Sequence, residues 1–450
     1  MSDPISPESL QPALARLLSK AKSLGADQAD AVASQGRSIH VTVRGGELEE
    51  VDNSEGQDVG LRVIINQQQA SVSSSDTSPE SLDRLAERAV AMARLAPVDP
   101  YCGLADEERL ASDTPDLQMF DATELTPDRL LERACEIESA ALAVPGVQQA
   151  EGMSAQFSSS AVYFMTSHGF ARGWRSSHHG LSGMALAMQD GQMERDYDYH
   201  GTRWLEDLRQ PEAIGTRAGE RVVARLGARQ IPSGRMPVIF NERIAGSLIG
   251  ALLNAINGAS IARGNSFLKD KMGEIIFPES VNIIDDPHII RGHGSRPWDG
   301  EGVTVNKQKL IENGKLTTWL LNSSAARQLG LETTGHAARG IGSAPGISSS
   351  NCYLEAGQTS LEDMQSDIGD GLLVMEMFGP SLNPNTGDYS VGVAGFRIEN
   401  GERAFPVSEI TIAGNILEMY RHLTPANDLV FDSATSAPSL LIESMTIAGS

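Results

Sequence analysis

Hydrophobic and polar positions follow two different periods in the first quarter of the chain. Residues 10–24 repeat leucine and alanine at helical spacing, and Ser78, followed by proline, precedes a second helix with one apolar face. Between these helices, residues 39–43 and 59–65 alternate apolar with polar side chains, as half-buried strands do. The pattern predicts an N-terminal α/β domain with antiparallel strands over residues 1–96.

The pattern changes in the next part of the chain. Residues 97–127 are rich in proline and aspartate and predict a linker or surface loop. Strand-type alternation lies between two segments of helical spacing, 128–142 and 211–228, which predicts a strand-rich middle subdomain over 128–230. Proline, serine and glycine at 232–234 mark the boundary that follows.

The C-terminal part, 231–450, begins with a short apolar strand at 238–240 and an uncharged helix predicted over 244–262. Short apolar segments follow, separated by glycine, asparagine and proline, and Asn-Gly pairs at 313–314 and 400–401 are typical of hairpin turns. We therefore expect an α+β protein whose third and largest domain is β-rich with a few helices.

The uncharged helix carries small residues at a spacing of four. Gly246, Gly250, Asn254 and Gly258 would share one face, which predicts either tight packing in the core or a subunit or ligand interface. The segment is long enough to span a bilayer, but its serine, asparagine and glycine residues favour a buried or interface helix.

The net charge and the cysteine content limit which binding partners and which cellular compartment we expect. The chain has 450 residues, with 36 Lys and Arg against 59 Asp and Glu, which gives a net charge of −23. Such a chain repels nucleic acid and anionic membranes, so we expect neither as a partner. The N-terminal residues 1–4 show no start of a signal peptide, and we predict a cytoplasmic location. Three cysteines far apart provide no disulfide framework or CxxC pair: Cys102, Cys135 and Cys352.

Motifs of several enzyme classes are missing from the sequence. None of the nine histidines is followed by glutamate, which excludes a zinc site of the HExxH type. The sequence also contains no GxSxG nucleophile turn and no GxxxxGK[ST] phosphate loop.

Two polar loops are the remaining candidates for chemistry. Asp286, His288 and His293 lie close together in the sequence, and we weigh a metal site there against a structural loop or a substrate-contacting loop. Asp388 and Tyr389 begin a strand after a turn-rich segment, and a polar loop at a strand end can frame a cleft.

Several separate motifs, in order, resemble a known family. The C-terminal part is similar to that of the TldD/PmbA proteins, and two of its motifs resemble the PmbA branch, also called TldE. The motifs that carry the resemblance are Asp-Gly-Glu-Gly at 299–302, Ala-Arg-Gln-Leu-Gly at 326–330, Asn-Thr-Gly-Asp-Tyr-Ser at 385–390 and Ile-Glu-Asn-Gly at 398–401.

The resemblance implies that this chain lacks the family's metal site. In the TldD branch, an HExxxH motif on the small-residue helix and a cysteine near the C-terminus hold zinc. By alignment, the motif positions are occupied here by Gly250, Ala251 and Ala255, and residues 433–439 contain no cysteine. No catalytic residue carries over, so we expect this chain to bind no cofactor, with zinc in a TldD-like partner subunit.

The resemblance further implies a subunit of a heteromeric TldD–TldE zinc metalloprotease that degrades or trims unstructured peptides, including peptide precursors and an antitoxin. Candidate peptide or cavity contacts in this chain are Arg291, His293, Asp388 and Tyr389. Two alternatives stay open: a self-sufficient metallopeptidase with an atypical site, and a non-enzymatic modulator that binds peptides or proteins.

Overall fold

A computed structural model describes residues 6–450, so residues 1–4, on which the absence of a signal peptide was predicted, lie outside the described part. The elements of the first half are α1 (Gln11–Ser23), β1 (Gln28–Arg44), β2 (Glu47–Ile65), β3 (Gln68–Ser74), α2 (Pro79–Ala93), α3 (Pro127–Leu142), β4 (Val147–Thr166), β5 (Ala171–Gln189), β6 (Gln192–Thr202) and α4 (Pro211–Ala224).

The six strands of this half form one antiparallel sheet in the order β3-β2-β1-β4-β5-β6. Because β1 pairs with β4, the strands of the first and middle predicted units share a single sheet. Ala31 of β1 packs with α1 and α2, and Val41 packs with α3. The two residues have the same parity on one strand, so the helices cover the same face of the sheet.

The opposite face of the sheet meets the C-terminal half. Val32 and Phe164 point to this face and pack with Trp298 and Ile341. The strands at this contact are therefore buried on both faces. The sequence pattern predicted strands that are buried on one face only.

The elements of the C-terminal half are β7 (Gly234–Phe240), α5 (Glu242–Ala255), α6 (Gly258–Ala262), β8 (Ile283–Asp285), β9 (Gln308–Glu312), β10 (Lys315–Leu316), α7 (Ser323–Leu329), β11 (Ala337–Ala338), β12 (Gly346–Ile347), β13 (Cys352–Leu354), α8 (Leu361–Ile368), β14 (Gly371–Leu382), β15 (Asp388–Glu399), β16 (Glu402–Asn415), α9 (Ile416–Arg421), β17 (Leu423–Pro425), β18 (Thr435–Ser436) and β19 (Leu440–Ala448). The predicted α+β class with a β-rich C-terminal part is confirmed.

The main C-terminal sheet curls back on itself. Its order is β16-β15-β14-β7-β19-β17, and β16 also pairs with β19, so five strands close into a ring. Leu248 and Leu252 of α5 pack into the apolar core that these strands enclose. The predicted Asn-Gly hairpin turns are confirmed at Asn313 and Asn400, where both asparagines and the glycines after them have positive φ.

The prediction of one helix over 244–262 is wrong. α5 ends at Ala255, and the side chain of Asn257 accepts a hydrogen bond from the amide of Ala259 at the start of α6. Asn257 therefore acts as an N-cap inside an apolar run, and Gly258 does not continue the face of Gly246. Across residues 6–450, no helix has both the length and the apolarity needed to cross a membrane.

Candidate functional site

A cavity of about 580 Å³ lies beside α5, and we call it the α5 cavity. Glu242, Gly246 and Gly250 line it from one side, because residues four apart share a helix face. Tyr197 and Tyr199 of β6 form another wall. Further lining residues are Arg217 and Arg221 of α4, Met377 of β14, and several residues between 430 and 437. The cavity therefore lies where the edge of the N-terminal sheet meets the first helix of the C-terminal half.

A buried network of charges fixes the elements around this cavity. Asp196 accepts hydrogen bonds from Arg243, with Nη1–Oδ1 at 2.8 Å, and from Arg225, with Nη1–Oδ2 at 3.3 Å. Arg225 also bonds to Glu376 of β14. Burial works to lower the pKa of both arginines, but the neighbouring carboxylates outweigh it and raise each pKa. The network joins β6, the C-terminal end of α4, α5 and β14.

Glu242 is an acid in the lining of this cavity whose pKa is raised. It occupies the first position of α5, next to the N-cap Asn241, whose side-chain amide donates to it. Burial, and then the charge of Asp428, raise the pKa of Glu242. No arginine or lysine in the described range forms an ion pair with it, so its proton affinity follows mainly from desolvation.

A second cavity of about 490 Å³, the histidine cavity, adjoins the first and shares Tyr199, Asp432 and Ser433 with it. His178 and His293 line it. Burial lowers the pKa of His178 to about 4, and burial followed by the charge of Arg203 lowers the pKa of His293. Both imidazoles are therefore neutral at pH 7.

The histidine cavity does not gather ligands around a metal position. Between residues 6 and 450, no three His, Cys, Asp or Glu side chains lie close enough together to hold a metal ion. Asp286 accepts from the amide of His288 and forms an ion pair with Lys307 at 3.2 Å, whereas His293 lines the histidine cavity. The Asp286, His288 and His293 side chains considered for a metal site are thus not assembled as ligands.

The positions aligned with the family's zinc motif do not fit a metal either. Gly250 faces the α5 cavity, and no atom lies within 4 Å of the place where a Cβ would be. Ala251 is half-buried against the C-terminal core, and Ala255 is buried in it. Glycine and alanine side chains provide no donor atom, so these three positions offer no metal ligand.

The four predicted contact residues do not meet in one place. His293 lines the histidine cavity. Arg291 instead lies over the ring of Trp204, and its Nη1 pairs with Glu206 at 2.6 Å and with Asp207 at 2.9 Å. Its role in the structure is to hold the loop of residues 204–207 against the C-terminal half.

Asp388 and Tyr389 lie at the start of β15. The carboxylate of Asp388 is exposed and accepts from Thr386 Oγ1 at 2.7 Å. Tyr389 is buried, its hydroxyl donates to Met377 Sδ at 3.5 Å, and burial raises its pKa to about 12. Because Met377 lines the α5 cavity, Tyr389 supports the cavity wall from behind.

Several cavity residues were missed by sequence reasoning. Glu242 follows Asn241, which is a helix-capping residue type, so the start of α5 could have been assigned from the sequence. Tyr199 belongs to the charged and aromatic stretch of β6 at 194–200. The alternation of this stretch predicts a strand but does not indicate a cavity. That these two elements meet depends on tertiary packing.

Comparison with known proteins identifies the family. Three family models match in order: PmbA/TldA metallopeptidase domain 1 over residues 29–93, the central domain over 120–226 and the C-terminal domain over 233–449. Metalloprotease PmbA of Escherichia coli O157:H7 is 40% identical over 94% of this chain and 92% of its own length. A PmbA homologue of Haemophilus influenzae is 34% identical over 91% of this chain and 90% of its own length.

Solved structures show the same fold. TldE of Thermococcus kodakarensis superimposes with a TM-score of 0.85 at 24% identity, covering 97% of this chain and 100% of that one. A Bacteroides thetaiotaomicron protein described as a candidate modulator of DNA gyrase gives a TM-score of 0.91 at 24% identity, covering 98% and 99%. The chain therefore belongs to the PmbA branch, also called TldE, of the PmbA/TldD metallopeptidase family.

Proposed function

We propose that this chain is the metal-free subunit of a heteromeric TldD–TldE-type metallopeptidase that degrades or trims unstructured peptides in the cytoplasm. The observation that carries the proposal is the α5 cavity itself. The cavity is open at Gly250, yet the three aligned zinc-motif positions hold no ligand atom. Membership of a metallopeptidase family supports peptide hydrolysis, and the lack of donor atoms at these three positions supports a metal site in the partner.

Within such a complex, this chain would bind and orient the peptide. Among the described residues, β6 is an edge strand that pairs only with β5, and Tyr197 and Tyr199 of β6 line the α5 cavity. The carbonyl of Tyr197 accepts from Arg221 Nη1 at 3.1 Å and Arg243 Nη2 at 2.9 Å, so it points away from β5. The backbone groups of Tyr199 point the same way, because backbone direction alternates along a strand.

An extended peptide could pair with this edge through main-chain hydrogen bonds. Strand addition tolerates many sequences, since the peptide backbone provides the bonds and side chains are read only where pockets exist. The α5 cavity offers such a pocket next to Tyr199, with arginines and carboxylates on its walls. This arrangement fits an unstructured substrate better than a folded one.

The first experiment measures peptide cleavage by this chain, by a TldD-like partner and by their mixture, with zinc quantified for each subunit. We expect turnover only in the mixture and zinc only in the partner. Chelator-sensitive turnover and stoichiometric zinc in this chain alone would overturn the proposal. A mixture that associates without cleaving any unstructured peptide would leave only a binding role.

A matched pair of variants tests whether the α5 cavity lies on the peptide path. Gly250→Trp would fill the cavity, whereas Gly250→Ala adds one carbon where no atom lies within 4 Å. We expect Gly250→Trp to reduce turnover of the mixture at least tenfold, with zinc content and subunit association unchanged, and Gly250→Ala to behave as wild type. Equal turnover by both variants would remove the cavity from the peptide path.

A further inference from the structure

A third cavity, of about 340 Å³, lies between the two halves of the chain, and we call it the seam cavity. Val32, Phe164 and Trp174 form its wall on the sheet face opposite α1–α4. Arg296 and Trp298 are among the residues that form the wall from the C-terminal half. None of its lining residues belongs to the α5 cavity or the histidine cavity.

The walls of the seam cavity are mainly apolar and aromatic. The rings of Trp174 and Trp298 meet edge to face, with centroids 5.3 Å apart and an interplanar angle of 83°. Trp298 is 2% exposed, and Phe170 supports it from behind at a centroid distance of 5.6 Å. A concave, aromatic-lined space of this size is typical of sites for small organic molecules.

One cation in this wall, Arg296, forms no ion pair with a carboxylate of the described residues. No carboxylate among residues 6–450 lies within 4.0 Å of the Arg296 guanidinium, and its two hydrogen bonds both go to Ser348. Those bonds join Nη1 to the hydroxyl oxygen at 3.4 Å and Nη2 to the carbonyl oxygen at 3.0 Å. Nε is buried without a partner. Since a guanidinium has five N–H groups, most of its donor capacity is unused.

Asp285 and Asp299, which also lines the cavity, attract Arg296, but neither forms an ion pair with it. Asp285 is already occupied by His336 and Ser350, and Asp299 accepts three backbone amides. The second arginine of the wall, Arg339, differs because its Nε bonds to Asp30 at 3.0 Å. The cavity therefore has one arginine without an ion pair beside apolar walls. Burial lowers the pKa of Arg296, although the charges of Asp285 and Asp299 act to raise it.

We propose that the seam cavity binds a small aromatic monocarboxylate, with its ring against Trp174 and Trp298 and its carboxylate toward Arg296. The aromatic walls favour a flat ring, because edge and face contacts between rings add to the gain from apolar burial. The single unpaired arginine favours one negative charge over two or none, since a carboxylate can accept its spare N–H groups.

The test is calorimetric titration of the full chain with indole-3-acetate and its neutral counterpart indole-3-acetamide. We expect saturable binding of one indole-3-acetate per chain, with the amide at least tenfold weaker. Absence of saturable binding up to millimolar concentrations, or equal affinity for the acid and the amide, would overturn the proposal. This comparison uses the wild-type protein, so it does not depend on any variant folding.

Variants then locate the site. Arg296→Met should weaken the acid at least tenfold and change the amide less than threefold, whereas Ala338→Trp, which adds a large side chain to the cavity wall, should abolish both. Arg172→Met is the matched control, because Arg172 lies on the same strand as Trp174 but bonds to Ser112 O outside the cavity. Unchanged acid binding in both Arg296→Met and Ala338→Trp would place the ligand elsewhere and refute the proposal.

Discussion

The α5 cavity and the seam cavity differ in whether the charged side chains of their walls are paired. Most charges around the α5 cavity form ion pairs, which are Arg209–Asp432, Arg221–Asp198, Arg225–Glu376 and Arg243–Asp196. In the seam cavity, apolar and aromatic walls surround a single unpaired guanidinium, that of Arg296. A balanced polar cavity suits the alternating donors and acceptors of a peptide backbone, whereas the seam cavity suits a small apolar anion.

The two regions also hold the molecule together in different ways. Around the α5 cavity, removing one charged group leaves its partners buried and unpaired, so the cost is electrostatic. At the seam, removing a ring leaves an empty volume, so the cost is lost packing. Substitutions in each region therefore test whether this contrast between charge pairing and apolar packing is correct.

The largest expected effect is on the charge-paired side. Arg225→Met would leave Glu376 without its ion-pair partner and Asp196 with Arg243 alone, and we expect the free energy of unfolding at pH 7 to fall by about 4 kcal/mol. Urea denaturation measures this free energy of unfolding. Arg217→Met is the control. Arg217 lies in α4, which ends next to Arg225, and its exposed guanidinium is 3.9 Å from Asp198, so this variant should cost under about 1 kcal/mol. Equal losses of unfolding free energy in the two variants would show that the buried charge network is worth no more than an exposed ion pair.

Substitutions at the seam should lower the free energy of unfolding somewhat less. Trp298→Ala removes a buried ring that contacts Phe170 and Trp174, and we expect a loss of about 3 kcal/mol in the free energy of unfolding. Trp174→Ala should cost less, since Trp174 is only half-buried. The same urea titrations measure both variants. If Trp298→Ala left stability unchanged, packing across the seam would not hold the two halves together.

How much of this could be predicted from the sequence differs between the regions. The Asn-Gly turns at 313–314 and 400–401 were predictable because the residues at the tip of such a hairpin need positive φ, which asparagine and glycine tolerate. The end of α5 was not, because the signal of Asn257 as a cap lies inside an apolar run whose continuity suggested one helix.

The seam was beyond prediction for a different reason. Val32, Phe164 and Trp298 are far apart in sequence, and only the docking of the C-terminal half onto the second sheet face brings them together. Alternation along β1 suggested one buried face, yet Asp30 on the second face is buried because Arg62 and Arg339 bind it. For the α5 cavity, the aligned motif positions indicated the helix, but not that Glu242 would line it.

A third prediction concerns the pH dependence of stability at the histidine cavity. Burial lowers the pKa of His178 from 6.5 to about 4 in the folded protein, with further contributions from His293, Arg203 and His179. Between these pH values the unfolded chain binds a proton that the folded chain does not, so stability should fall as the pH falls from 6.5 to 4. In His178→Gln, this fall should be smaller by about 1–2 kcal/mol, after allowance for partial exposure.

The difference between wild type and His178→Gln is the quantity to measure, by urea denaturation at several pH values. Asp299 at the seam acts in the opposite direction, because burial, and then the charge of Glu301, raise its pKa to about 7. The folded state therefore takes up a proton at Asp299 below pH 7 and gains stability in acid. This contribution is common to both proteins and cancels. Parallel curves for the two proteins would show that His178 is not desolvated.

The smallest expected effects concern two glycines on the cavity face of α5. A Cβ at Gly246 would lie 2.7 Å from the carbonyl oxygen of Thr435, so Gly246→Ala should cost about 1 kcal/mol as the backbone there shifts. Gly250→Ala meets no atom within 4 Å and removes a flexible residue from a helix, so it should gain about 0.5–1 kcal/mol. Opposite signs in urea denaturation would show that α5 packs closely at one turn and faces open space at the next. Losses of equal size would mean that the helix is closed off along its whole length, and the α5 cavity could then not admit a peptide.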